Sequence, residues 1–103
     1  MCSYRTKKFI FSMKKENYQY NVLGLGEAFL ENNARLLLNV KQMVIQEIDR
    51  DNKLVNEHIF NKDELPIKLL EIFDNGVSHL KEIKIVYIEH GLRQNLTEIE
   101  IFK

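Results

Sequence analysis

The apolar residues of this chain change their spacing twice, and those two changes constrain the fold more than anything else in the sequence. Leu65, Leu69 and Phe73 recur every four residues with Ile72 beside them, while Lys68, Glu71 and Asp74 fall on the other side. Four-residue spacing marks a helix with one buried face. Asp63 can cap it, Pro66 lies in the first turn where a missing N–H costs nothing, and Gly76 stands just past the end. A helix over 63–74 follows. From Glu82 the spacing returns to two. "EIKIVYIEH" (82–90) is rich in β-branched residues, "LTEIEIF" (96–102) alternates, and "GLRQN" (91–95) joins them as a hairpin.

The first half of the chain reads as strands as well. Phe9, Phe11 and Met13 alternate with Lys8 and Ser12, "KKEN" (14–17) is a polar turn, and Tyr18, Tyr20 and Val22 alternate with Gln19 and Asn21. That pattern predicts an N-terminal β-hairpin. Between 34 and 48, period two is carried by Ala34, Leu36, Leu38, Val40, Val44 and Ile48. A helical stripe through Leu30, Ala34, Leu37, Leu38, Val44, Ile45 and Ile48 competes with it, interrupted by Lys41. "DRDNK" (49–53), set between "VIQEI" and "LVNEHIF", looks like a hairpin turn and favours strands. The expectation is one α+β domain over 1–103: an antiparallel sheet of about five to seven strands, in hairpins and a meander, with one main helix packed on one face.

Gly24-Leu25-Gly26 raises the possibility of a dinucleotide site. The fingerprint G-x-G-x-x-G/A needs a small third residue so that helix and strand can approach. Phe29 stands there, and 103 residues are too few for two mononucleotide halves, although Glu47 lies at about the distance of a ribose-binding acid. The glycines are read instead as a bulge or bend in a long strand, freeing space for a crossing element. No cofactor is expected.

Other chemistry is sparse. Glu57-His58 and Glu89-His90 place acid beside imidazole, but neighbours on a strand point to opposite faces. His58 and His90 could meet across the sheet and share a phosphate or a metal, yet the spacing with His79 matches no metal-binding pattern. Ser3, Ser12 and Ser78 lack a nucleophile-elbow context, and Cys2, the only cysteine, allows neither a disulfide framework nor a cysteine-based zinc site. Asp49, Asp51 and Asn52 begin like a calcium loop, but the required glycine is missing and no glutamate closes the run. Neither a catalytic residue nor a metal ligand is assigned.

Surface charge remains. Fifteen basic residues balance fifteen acidic ones, so no net field steers the chain to nucleic acid or an anionic membrane. The charges are nevertheless separated. Arg5, Lys7, Lys8, Lys14 and Lys15, with Tyr18 and Tyr20, would form a basic aromatic hairpin suited to a single strand or a partner. Edge-strand lysines also discourage aggregation, which needs no ligand. Glu57, Asp63, Glu64, Glu71 and Asp74 could be an acidic docking face or the wet side of a helix. Apolar runs reach only about five residues and the N-terminus is charged, so the reading is a cytoplasmic protein without a membrane span. Asn95-Leu96-Thr97 fits a glycosylation acceptor by chance.

The function expected by subtraction is non-catalytic binding of another protein, as an inhibitor, an immunity-type or mobile-element regulator, or an assembly subunit, with homo-oligomers possible. A single-stranded nucleic-acid module is the alternative, and a small histidine-dependent phosphodiester hydrolase the third possibility.

Overall fold

The computed structural model describes residues 7–12 and 18–102, and within them two short turns build the antiparallel sheet. The first joins β2 (Gln42–Asp49) to β3 (Leu54–Asn61). Asp49 Oδ1 accepts hydrogen bonds from the N–H groups of Asp51 and Lys53, each at 2.9 Å. The Asn52 N–H donates to the Asp49 carbonyl at 3.0 Å, and Asn52 itself has φ 64. A type I turn followed by a left-handed residue is a standard three-residue hairpin loop, and asparagine tolerates that conformation. The "DRDNK" turn is therefore where the sequence puts it.

A second turn joins β3's successors, β4 (Leu80–Glu89) and β5 (Leu92–Phe102). His90 and Gly91 have φ 53 and 75. Two consecutive positive φ values make the tight type I′ connection, whose twist matches that of the strands it joins. The turn is thus shorter than "GLRQN", and residues 92–95 belong to the strand.

The sheet order is β1 (Lys7–Ser12), β5, β4, β2, β3. β2 to β5 pair antiparallel, whereas β1 joins β5 in parallel, with Phe9 opposite Ile99. Class α+β with an antiparallel sheet holds. The helix inventory does not, because there are two: α1 (Tyr18–Asn32) and α2 (Leu65–Asp74).

α1 corrects the N-terminal hairpin and the strand-bend reading of the glycines. Val22, Gly26 and Phe29 are buried, with Leu25 and Leu30 partly buried beside them. That is helical spacing, and burying this stripe outweighs the short alternation at 18–22. Gly24 and Gly26 lie inside the helix and not in a loop before its first turn. Space for a crossing element is nevertheless what Gly26 provides. A Cβ there would stand 2.7 Å from Pro66 Cα, so the glycine lets α1 cross α2 closely. The helix stops at Asn33, whose Nδ2 donates to the Phe29 carbonyl at 2.8 Å.

Residues 33–39 are turns, and only Gln42–Asp49 of the expected 34–48 strand is extended. Leu37 and Val40 are buried from this connection, which Lys62 ties down by donating from Nζ to the Leu37 carbonyl at 2.9 Å. α2 follows a 3₁₀ turn, Lys62–Glu64, and buries Leu65, Leu69, Ile72 and Phe73 as the spacing required. Its N-cap position is Glu64, without a side-chain cap, so Asp63 does not cap it. Gly76 has φ 99 beyond the last turn.

Both helices cover one side of the sheet. Val22, Phe29, Leu65, Leu69 and Phe73 form one core with Met43, Ile45, Phe60, Ile83, Ile85, Tyr87, Ile99 and Ile101. Strand alternation sends Val44, Ile48 and Val86 to the opposite face. No described element lies over that face.

Candidate functional site: the open sheet face and its free edge

A bulge determines what the open face carries. Ile85 pairs with Thr97 but Val86 pairs with Asn95, so Leu96 is the extra residue of β5. An extra residue reverses the alternation. Thr97, Ile99 and Ile101 share the helix side, and beyond the bulge Arg93 comes out opposite Ile88 on the open face. From there its guanidinium reaches β3, three strands away, where Nη1 donates to Glu57 Oε2 at 2.7 Å. The same oxygen accepts from Gln46 Nε2 at 2.9 Å. Arg93, and then Gln46, hold the Glu57 carboxyl below its usual range against a smaller opposing effect of burial. Glu57 in turn raises the Arg93 guanidinium.

Under this link runs an apolar stripe. Val44 lies opposite Val86 on one side and Ile59 on the other. Val44 and Val86 are buried, but Ile59 is 55% exposed at the margin of the sheet. Leu54 and Val55, on the same strand, are also exposed.

β3 is the last strand of the sheet, and no described strand pairs with its outer side. Which backbone groups it presents follows from one bond. Lys62 N–H donates to the Lys41 carbonyl at 2.9 Å, one step beyond the Gln42↔Asn61 pair. Hydrogen-bonded pairs alternate along an antiparallel ladder. Phe60 and His58 therefore bond inward to β2, whereas Asn61, Ile59 and Glu57 turn their N–H and C=O groups outward. The Glu57 N–H agrees: it bonds the Asn56 side-chain oxygen at 3.0 Å and not β2. Between Leu54 and Asn61 there is no lysine and no proline to blunt the edge.

At the Asn61 end of this edge are two shallow clefts that share Lys41 and Asn61. One, of about 370 Å³, also takes in Asn39, Gln42, Ile88 and His90. The other, of about 420 Å³, reaches Leu38, Lys62 and Asp63. Both are open to solvent and lined by amides, apolar carbon and charges of both signs, Lys41 and Lys62 with Asp63 and Glu89.

The histidines do not form a joint site. His58 sits opposite Ile45, on the helix side, and its Nε2 lies 2.5 Å from Oε2 of buried Glu47. His90 occupies the β4–β5 turn, beyond the Gln42↔Ile88 pair, and His79 is exposed before β4. Among the described residues, no three His, Cys, Asp or Glu side chains are placed to hold a metal. The Glu47–His58 pair escaped sequence reasoning, although Glu47 follows Met43 and Ile45 on the inward positions of its strand. An acid in that phase has to find a partner.

Of the basic aromatic surface, Arg5, Lys14 and Lys15 lie outside the described residues. Lys7 and Lys8 belong to β1, paired with β5, and Tyr18 and Tyr20 open α1. The two-strand platform expected for them is therefore absent. The acidic residues are divided too. Glu57 is on the open face, while Asp63, Glu64, Glu71 and Asp74 are exposed along the 3₁₀ turn and α2, with Glu71 3.4 Å from Lys68 Nζ. No described helix is long and apolar enough to cross a membrane. No protein-family model, curated protein or solved structure matches the chain.

Proposed function

We propose that this is a non-catalytic cytoplasmic protein that works by binding another protein, and that β3 with the adjoining open face is the contact. The observation that carries the reading is the free edge itself. It presents outward backbone groups at Glu57, Ile59 and Asn61 beside exposed Leu54, Val55 and Ile59. A partner strand gains affinity from backbone hydrogen bonds on such an edge and specificity from alternate side chains. The Arg93–Glu57–Gln46 link holds the neighbouring polar groups in place, which lowers the ordering cost of association.

Affinity capture from the native host tests the reading, comparing the natural chain with Ile59→Lys, a change at an exposed position that leaves the core intact. A protein retained by the first and lost with the second is expected. Equal capture by both would place the contact elsewhere. On the same reading, single-stranded RNA or DNA at physiological salt binds no tighter than the generic range of about 10⁻⁴–10⁻⁶ M.

A further inference from the structure

We infer that the edge of β3 accepts a second copy of this chain, in an antiparallel register with Ile59 opposite the second copy's Ile59. The inference rests on the reading of β3 as the contact edge and names its occupant.

Three constraints select that register. Two identical strands pairing antiparallel are related by a two-fold axis perpendicular to the sheet, so open face continues onto open face. Facing residues must then share a side of the sheet, which in this segment admits only registers that set odd-numbered residues opposite odd-numbered ones and even opposite even. The odd-numbered residues, Glu57, Ile59 and Asn61, hold the outward backbone groups. Side-chain alternation and hydrogen-bond phase thus ask for the same set of registers.

Charge then chooses among them. With Ile59 opposite Ile59, each Glu57 faces an Asn61, whose amide N–H can donate to the carboxylate. The stripe Val86–Val44–Ile59 then continues unbroken into its counterpart in the second copy. A shift of one step sets His58 opposite His58 and Glu57 opposite Ile59. A further shift sets Glu57 opposite Glu57, and a shift the other way sets Ile59 opposite Asn61 and carries Glu57 past the end of the facing strand. Each alternative opposes like ionisable groups, places a carboxylate against an apolar side chain, or breaks the apolar stripe at Ile59. The Asn56 side chain on the Glu57 N–H is a local bond that the incoming carbonyl of Asn61 replaces.

A contact of one short strand on each side is small, so the dimer is weak and depends on concentration. Sedimentation of the full chain from about 1 μM to about 500 μM is expected to show a reversible monomer–dimer equilibrium, abolished by Ile59→Lys with helix and sheet content unchanged. In a Cys2→Ser background, Ile59→Cys is expected to form a disulfide-linked dimer on mild oxidation, at least about tenfold more than Asn61→Cys, because opposed Cα atoms of a hydrogen-bonded pair are within disulfide reach. A monomer throughout that range, a dimer that survives Ile59→Lys, or equal cross-linking at 59 and 61 would each overturn the self-pairing. Partner capture that still depends on Ile59 would, in the first case, leave the protein-binding reading standing. Capture indifferent to Ile59 would remove both.

Discussion

Two carboxylates show how position alone gives the same side chain different work. Glu57, on the open face, is held by Arg93 and Gln46, and its folded-state pKa is depressed from the ordinary 4.5. A depressed carboxyl contributes stability that is present above the unfolded value and is lost as pH falls through the folded one. Carbon-detected titration of Glu57 should therefore find a midpoint below 4.5, moving up in Arg93→Met. A midpoint unmoved by that substitution would mean the link across the sheet is not formed. Glu47 points the other way, into the helix side, and is only 8% exposed with His58 against it. Removing the imidazole strands a buried acceptor, so His58→Ala should lower stability by about 1–3 kcal/mol in chemical denaturation. Neither partner was legible in the sequence. Arg93 reaches the open face only because Leu96 is an extra residue, and the one trace of that is the three-residue step from Leu96 to Ile99 before the alternation settles.

At the scale of elements, α2 was readable because its apolar spacing, Pro66 and Gly76 all point the same way. α1 was not, because its two glycines argue locally against a helix and its reason for being one lies in another element. Each glycine costs a helix interior about 1 kcal/mol relative to alanine. Gly26 is kept by Pro66, against which any Cβ would stand 2.7 Å from a backbone atom, while at Gly24 a Cβ meets nothing within 4 Å. The two should therefore respond oppositely. Gly24→Ala is expected to stabilise by up to about 1 kcal/mol, and Gly26→Ala to destabilise by about 1–3 kcal/mol as the helices are forced apart. Thermal or urea unfolding of the pair checks this, and two changes of the same sign would contradict the crossing. The hairpins were legible for the converse reason: Asp49 and Asn52, like His90 and Gly91, act within their own turns.

For the whole molecule, the distribution of cover matters most. Two helices seal one face, β1 borders β5, and the opposite margin ends in a strand that exposes Leu54, Val55 and Ile59 and turns the amides of Ile59 and Asn61 outward. A net charge of zero gives no long-range steering, so the binding proposed here rests on this local surface. Residue-resolved amide hydrogen exchange along β3 tests that most directly. In dilute protein the amides of His58 and Phe60, bonded inward, should be protected while those of Ile59 and Asn61 exchange quickly. Both outward amides should slow once the edge is occupied, by the partner or by a second copy at high concentration. Protection of Ile59 and Asn61 equal to that of their neighbours in dilute protein, or no slowing at any occupancy, would contradict β3 as the binding edge.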